Sequence, residues 1–171
     1  MKKLFAAAAL IFCATLAQAL PDAVRNGEAG WQQWGSGEMS WFGFSLYRAT
    51  FWVAGSSPET SPSALQLDYL RDIPRERLVQ ASLEEMRRLG ADEAQLQRWE
   101  PELRRVFPDV KTGDTIVGVH YPGRGAHFFY QGRLNGAVTD AEFARRFFAI
   151  WLDPASRSPA LRAALLKRPE G

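Results

Sequence analysis

Ser40-Trp41-Phe42-Gly43-Phe44-Ser45-Leu46-Tyr47-Arg48-Ala49-Thr50-Phe51-Trp52-Val53 carries the strongest strand signal in the chain. In an extended backbone successive side chains point to opposite faces. Phe42, Phe44, Leu46, Arg48, Thr50 and Trp52 fall on one face, and Trp41, Gly43, Ser45, Tyr47, Ala49, Phe51 and Val53 on the other. Both faces are substantially apolar, which predicts one long strand covered at least in part on each side. Before it, residues 20–38 are Gly-rich, with Trp31 and Trp34, and read as an irregular lead-in with room for a short edge strand. After it, Gly55-Ser56-Ser57-Pro58 to Pro62-Ser63 is a polar loop. Ala64 to Arg71 alternates again, with Leu65, Leu67, Tyr69 and Arg71 on one face.

The period then changes from two to 3.6. Pro74 suits a first helical turn, with Asp72 or Ile73 near the cap. A helix runs from there to about Leu89, with Val79, Leu83 and Met86 on its buried face and Gly90 as the stop. Asp92 opens a second helix whose stripe is Leu96, Trp99, Leu103, Val106 and Phe107; Pro101 is expected to kink or split it. Lys111 to Asp114 is a turn, and Thr115–Tyr121, Ala126–Tyr130 and Arg133–Val138 are strands. Thr139 and Glu142 have capping-box spacing before a helix over 140–152. Ser158 caps a last helix holding Leu161, Leu165 and Leu166. Strands, helices, strands and helices in that order predict an α+β fold with a mainly antiparallel sheet.

The chain has 171 residues, one domain's worth, and no internal repeat or linker. Residues 1–19 read as a signal peptide: Lys2-Lys3, the apolar run Leu4–Leu16, and Ala17-Gln18-Ala19 as a cleavage site. That run is shorter than the ~20 residues a bilayer span needs. Cleavage near Ala19 would leave residues 20–171 as a single domain, periplasmic or secreted, without a stable membrane anchor. The remainder carries 19 basic and 19 acidic side chains, so nucleic acid is not an expected partner. The single cysteine, Cys13, lies in the leader, so disulfide and thiol chemistry are excluded from the mature chain. His120 and His127 stand on neighbouring strands with no acid at ligand spacing, and no metal or other cofactor is expected. No G-x-S-x-G elbow or phosphate-binding loop occurs.

One constellation stands apart. Arg48 shares a strand face with Phe44, Leu46 and Trp52. A guanidinium among large apolar groups needs a partner. Asp68 or Asp72 could supply it, and so could the anionic end of an apolar ligand, which an Arg fork binds well. Arg71, on the face of Tyr69, offers a second such corner, and Tyr47 and Tyr121 offer hydroxyl donors.

Four pieces in order carry a resemblance: Phe44-Ser45-Leu46-Tyr47-Arg48-Ala49-Thr50-Phe51-Trp52, Tyr69-Leu70-Arg71-Asp72-Ile73, Phe107-Pro108-Asp109-Val110-Lys111-x-Gly113-Asp114, and Phe143-Ala144-x-x-Phe147-Phe148-Ala149-Ile150-Trp151-Leu152. Together, over roughly residues 30–167, they resemble the bacterial exported branch of the chalcone isomerase-like family. The resemblance implies a long-stranded antiparallel sheet packed against a layer of helices, with a cleft between them. It implies one of two occupations: closure of a flavanone ring, or fatty-acid binding with an Arg and a Tyr on the carboxylate. The resemblance gives the isomerase an Arg near the start of the long core strand, a Thr further along it, and a Tyr and an Asn near the following helix, and that set is not matched. Gly35–Met39 holds no Arg, Arg48 falls where the strand Thr belongs, and Pro74 and Ala81 fall near the Tyr and Asn positions.

The expectation is therefore a non-catalytic domain that binds a small amphipathic ligand, a fatty acid or another apolar carboxylate, through Arg48, Tyr47, Trp52, Tyr69 and Arg71. Two alternatives stand beside it. One is an isomerase or intramolecular lyase acting on an enone. The other is an interaction protein using an exposed aromatic surface drawn from Trp31, Trp34, Trp41 and Phe42.

Overall fold

The run over residues 40–53 is a hairpin and not one strand. In the computed structural model, which describes residues 20–168, the elements in chain order are α1 (Asp22–Arg25), β1 (Trp31–Trp41), β2 (Phe44–Ala54), β3 (Ser63–Tyr69), α2 (Arg75–Arg88), α3 (Glu93–Val106), β4 (Thr115–Tyr121), β5 (Gly125–Tyr130), β6 (Arg133–Val138), α4 (Ala141–Leu152) and α5 (Pro159–Leu165). The expected leader, residues 1–19, lies outside the described residues. Phe42 (φ 47°) and Gly43 (φ 78°) form the two-residue turn between β1 and β2. Two positive φ values match the right-handed twist of a hairpin. The turn is invisible to alternation because an aromatic residue stands where Asn or Asp usually signals it.

The six strands pair antiparallel in sequence order, β1 to β6. The Gly-rich lead-in thus becomes a long edge strand, and its glycines explain why. A Cβ on Gly35 would stand 1.9 Å from the Ala164 carbonyl oxygen, and one on Gly37 would stand 2.8 Å from Leu161 Cδ1. Helix α5 lies directly on the backbone of β1, and only glycine permits that approach.

One face of the sheet carries the main core. Ala49, Phe51 and Val53 of β2, Leu65, Leu67 and Tyr69 of β3, Ile116 of β4 and Phe128 of β5 meet Val79 and Met86 of α2, Trp99 and Leu103 of α3, and Phe143, Phe147 and Trp151 of α4. The opposite face carries a smaller cluster, in which Leu20 and Val24 pack on Ala64, Val117, Val119 and Phe129, with Trp31 and Trp52 at its margin.

Two local expectations change. Helix α3 runs unbroken through Pro101. That residue is on the exposed side, where water can solvate the carbonyl that loses its bond, while Leu96, Trp99, Leu103 and Val106 hold the other side in the core. The cap of α4 is Asp140, not Thr139: its carboxylate accepts from Phe143 N at 2.9 Å and from the Trp99 indole N–H at 2.9 Å. Burial opposes ionisation of Asp140, but these donors outweigh it and hold its carboxyl below the usual range. Asp92 opens α3 as expected, and forms with Gln95 a capping box that the sequence reading had not assigned there.

Candidate functional site

The helices do not seal the sheet. Between its helix-bearing face and α2, α4 and α5 lies a cavity of about 570 Å³. Ligand pockets commonly fall in the range ~300–1,000 Å³. Its floor is Leu65, Leu67, Tyr69, Ile116 and Phe128; Phe147, Ile150 and Trp151 of α4 form one wall. On α2 the small residues Ala81 and Ser82, next to Leu78, leave the space open.

The polar groups of this wall divide into those already bonded and those not. Ser82 Oγ donates to the Leu78 carbonyl at 2.8 Å, and Ser156 Oγ donates to the Ile150 carbonyl at 2.9 Å. Arg157 is held by Glu85 at 2.7 Å and by Glu84 at 3.4 Å, and Glu85 also pairs with Arg88. Two phenols differ. The Tyr47 hydroxyl accepts the Trp151 indole N–H at 3.0 Å, which leaves its own O–H to donate elsewhere. Tyr69 is 4% exposed, and its hydroxyl makes no hydrogen bond to any described residue. The two rings meet edge to face at 5.8 Å. Burial pushes the Tyr47 phenol up to about 12, with the Glu85 charge adding and the Trp151 bond opposing. Burial and the neighbouring Tyr47 push Tyr69 up as well. Both therefore stay protonated, as neutral donors, across the physiological range. Arg77, on the first turn of α2, is exposed, lines the same cavity and has no ion-pair partner among the described residues.

This arrangement separates the expected site residues. Tyr47 and Tyr69 line the cavity; Arg48, Trp52 and Arg71 do not. Arg48 is exposed on the opposite sheet face, directly between Glu38 of β1 and Asp68 of β3. The guanidinium is not seated in an apolar cleft, because the helices cover the face of Tyr47, Ala49 and Phe51 instead. Asp72 is engaged elsewhere, by Lys111 Nζ and by the Thr112 N–H at 2.9 Å. Trp52 belongs to the cluster around Leu20 and Val24. Arg71 follows the end of β3 and stacks over the exposed Phe44 ring at 4.6 Å. Arg77 was not anticipated. Its signal was the i, i+4 series Arg77, Ala81, Glu85, a stripe beside the buried Val79, Leu83 and Met86.

The sequence profile of the chalcone isomerase-like family matches residues 17–167. The chain belongs to that family. No curated protein sequence matches this chalcone isomerase-like protein. Among solved structures, that of an Arabidopsis thaliana fatty-acid binding protein is similar to it with a TM-score of 0.63 at 12% identity, covering 81% of this chain and 87% of that one. At that identity the likeness is one of fold. The six-stranded antiparallel sheet with its helical layer is the chalcone isomerase-like α+β architecture that the sequence implied.

Proposed function

We propose that this chalcone isomerase-like protein is a non-catalytic carrier of a long-chain fatty acid or a similar apolar carboxylate, exported and processed near Ala19. The observation that carries this reading is an apolar cavity lined by Tyr69, only 4% exposed, whose hydroxyl has no partner among the described residues. Tyr69 lines the cavity, so a ligand head group can supply the acceptor that no described residue offers its hydroxyl. The apolar walls take the chain. The Tyr69 and Tyr47 O–H groups donate to carboxylate oxygens, and Arg77, without an ion-pair partner among the described residues, adds positive charge at the rim. The fold shared with a fatty-acid binding protein supports the same class of ligand.

Native mass spectrometry and solvent extraction of the purified protein, together with titration by the fluorescent fatty acid cis-parinaric acid, test this. Saturable binding at one site is expected, weakened by Arg77→Ala and unchanged by Arg48→Ala. An empty protein with no saturable titration overturns it.

A further inference from the structure

We infer that the β1–β2 hairpin tip is a membrane-docking element, which seats the cavity rim on a phospholipid bilayer carrying anionic headgroups. Trp41, Phe42 and Phe44 are 48%, 85% and 56% exposed. Phe42 also holds a positive φ of 47°, a conformation that bulky side chains rarely adopt and that Asn tolerates far better. Stability alone favours neither the strain nor the exposure. The turn projects its most exposed ring from the end of the sheet, and Trp41 packs against that ring edge to face at 5.1 Å.

The occupant follows from area, residue type and charge. At ~200 Å² per fully exposed aromatic side chain, the three rings offer roughly 400 Å². A stable protein interface needs about 800 Å² from each partner, so a second copy or a folded partner gains too little from this tip. A bilayer sets no such threshold for shape: Trp and Phe partition singly into the headgroup boundary. The cations fit the same surface. Arg71, an exposed residue, stacks on Phe44, and Arg77, without an ion-pair partner among the described residues, stands on the rim that Trp41 also lines. Each cation near an anionic leaflet adds attraction that falls off within a Debye length. Transfer of a ligand between bilayer and cavity rests on the carrier reading above; the docking itself does not.

Flotation with vesicles of phosphatidylcholine, with and without phosphatidylglycerol, tests the inference on protein purified in the form to which the expressing cells process it. The wild type is expected to float with the anionic vesicles. Phe42→Asn and Phe44→Ser are each expected to lower that partition about tenfold or more. Arg71→Gln should lower binding to anionic vesicles while leaving the weaker binding to neutral ones unchanged. Phe42→Asn relieves the turn, so its melting temperature should hold or rise, and its titration with cis-parinaric acid in aqueous solution should match the wild type. Failure of the wild type to float, or flotation indifferent to both tip variants, overturns the docking role. So does a tip variant that only shifts a monomer–dimer equilibrium in sedimentation. If cis-parinaric acid fails to bind the wild type, the carrier reading falls and the flotation result still decides the docking role.

Discussion

The Trp151 indole N–H donates to the Tyr47 hydroxyl at 3.0 Å, joining groups 104 positions apart in the chain. This bond ties α4 to β2 across the cavity wall and orients the phenol so that its O–H is free. Trp151 is only 8% exposed, so Tyr47→Phe leaves a buried donor unpaired. The expected loss is ~1–2 kcal/mol, seen as a melting temperature a few degrees lower. Combining Tyr47→Phe with Trp151→Phe should cost less than the two single changes together. Strictly additive losses would show that the bond contributes nothing.

Tyr69→Phe is expected to behave in the opposite way. No described residue bonds the hydroxyl it removes, so stability should change by less than ~1 kcal/mol. Affinity for cis-parinaric acid should nevertheless fall about tenfold. Chemical denaturation beside the fluorescence titration separates the two effects. A variant that loses stability and keeps its affinity would place the hydroxyl in the packing and not in the site.

High pH should destabilise the protein through the same two phenols. In the unfolded chain both titrate near 10; burial holds Tyr47 up to about 12 and raises Tyr69 too. Below about pH 10 both states keep their protons, and these groups contribute no pH dependence. Above it the unfolded chain releases protons that the native state retains, so stability falls by ~1.4 kcal/mol per pH unit for each phenol. Melting temperatures measured from pH 8 to 12 should therefore drop more steeply in the wild type than in the Tyr47→Phe, Tyr69→Phe double variant. Parallel curves would refute the assignment.

Gly35→Ala tests how α5 is held. The new Cβ would meet the Ala164 carbonyl oxygen at 1.9 Å and that of Leu165 at 2.9 Å, backbone atoms that cannot turn aside. The expected cost is at least ~2 kcal/mol, with limited proteolysis cutting first around residues 155–165 as α5 lifts from β1. Wild-type resistance in that segment would mean that the strand, not the helix, yields.

The stretches from Ala64 to Tyr69 and from Thr115 to Val138, and the three longer helices, were legible because each carries a clear period, with Gly90, Asp92 and Ser158 marking helix ends. Of the edge strand β1 only a short piece was expected and not its full length, because Gly35 and Gly37 erase alternation, and their reason for being there is a helix that arrives more than a hundred residues later. The Phe42-Gly43 turn was hidden for a related reason: an exposed aromatic residue continued the apolar pattern straight through it. Of the residues singled out, Tyr47 and Tyr69 line the cavity, and Arg77, which also lines it, was not among them. The guanidinium singled out, Arg48, proved to face away from the cavity.

From the residues alone followed the α+β class, the positions of most elements, the ordered family resemblance, and the partition of β2 into one face with Arg48 and another with Tyr47. Which face the helices cover was decided by the tertiary structure. A period of two states that a strand has two sides but is symmetric between them. Only the path of α2, α4 and α5 back across the sheet breaks that symmetry, and in doing so it encloses two phenols and leaves the Arg48 guanidinium in water.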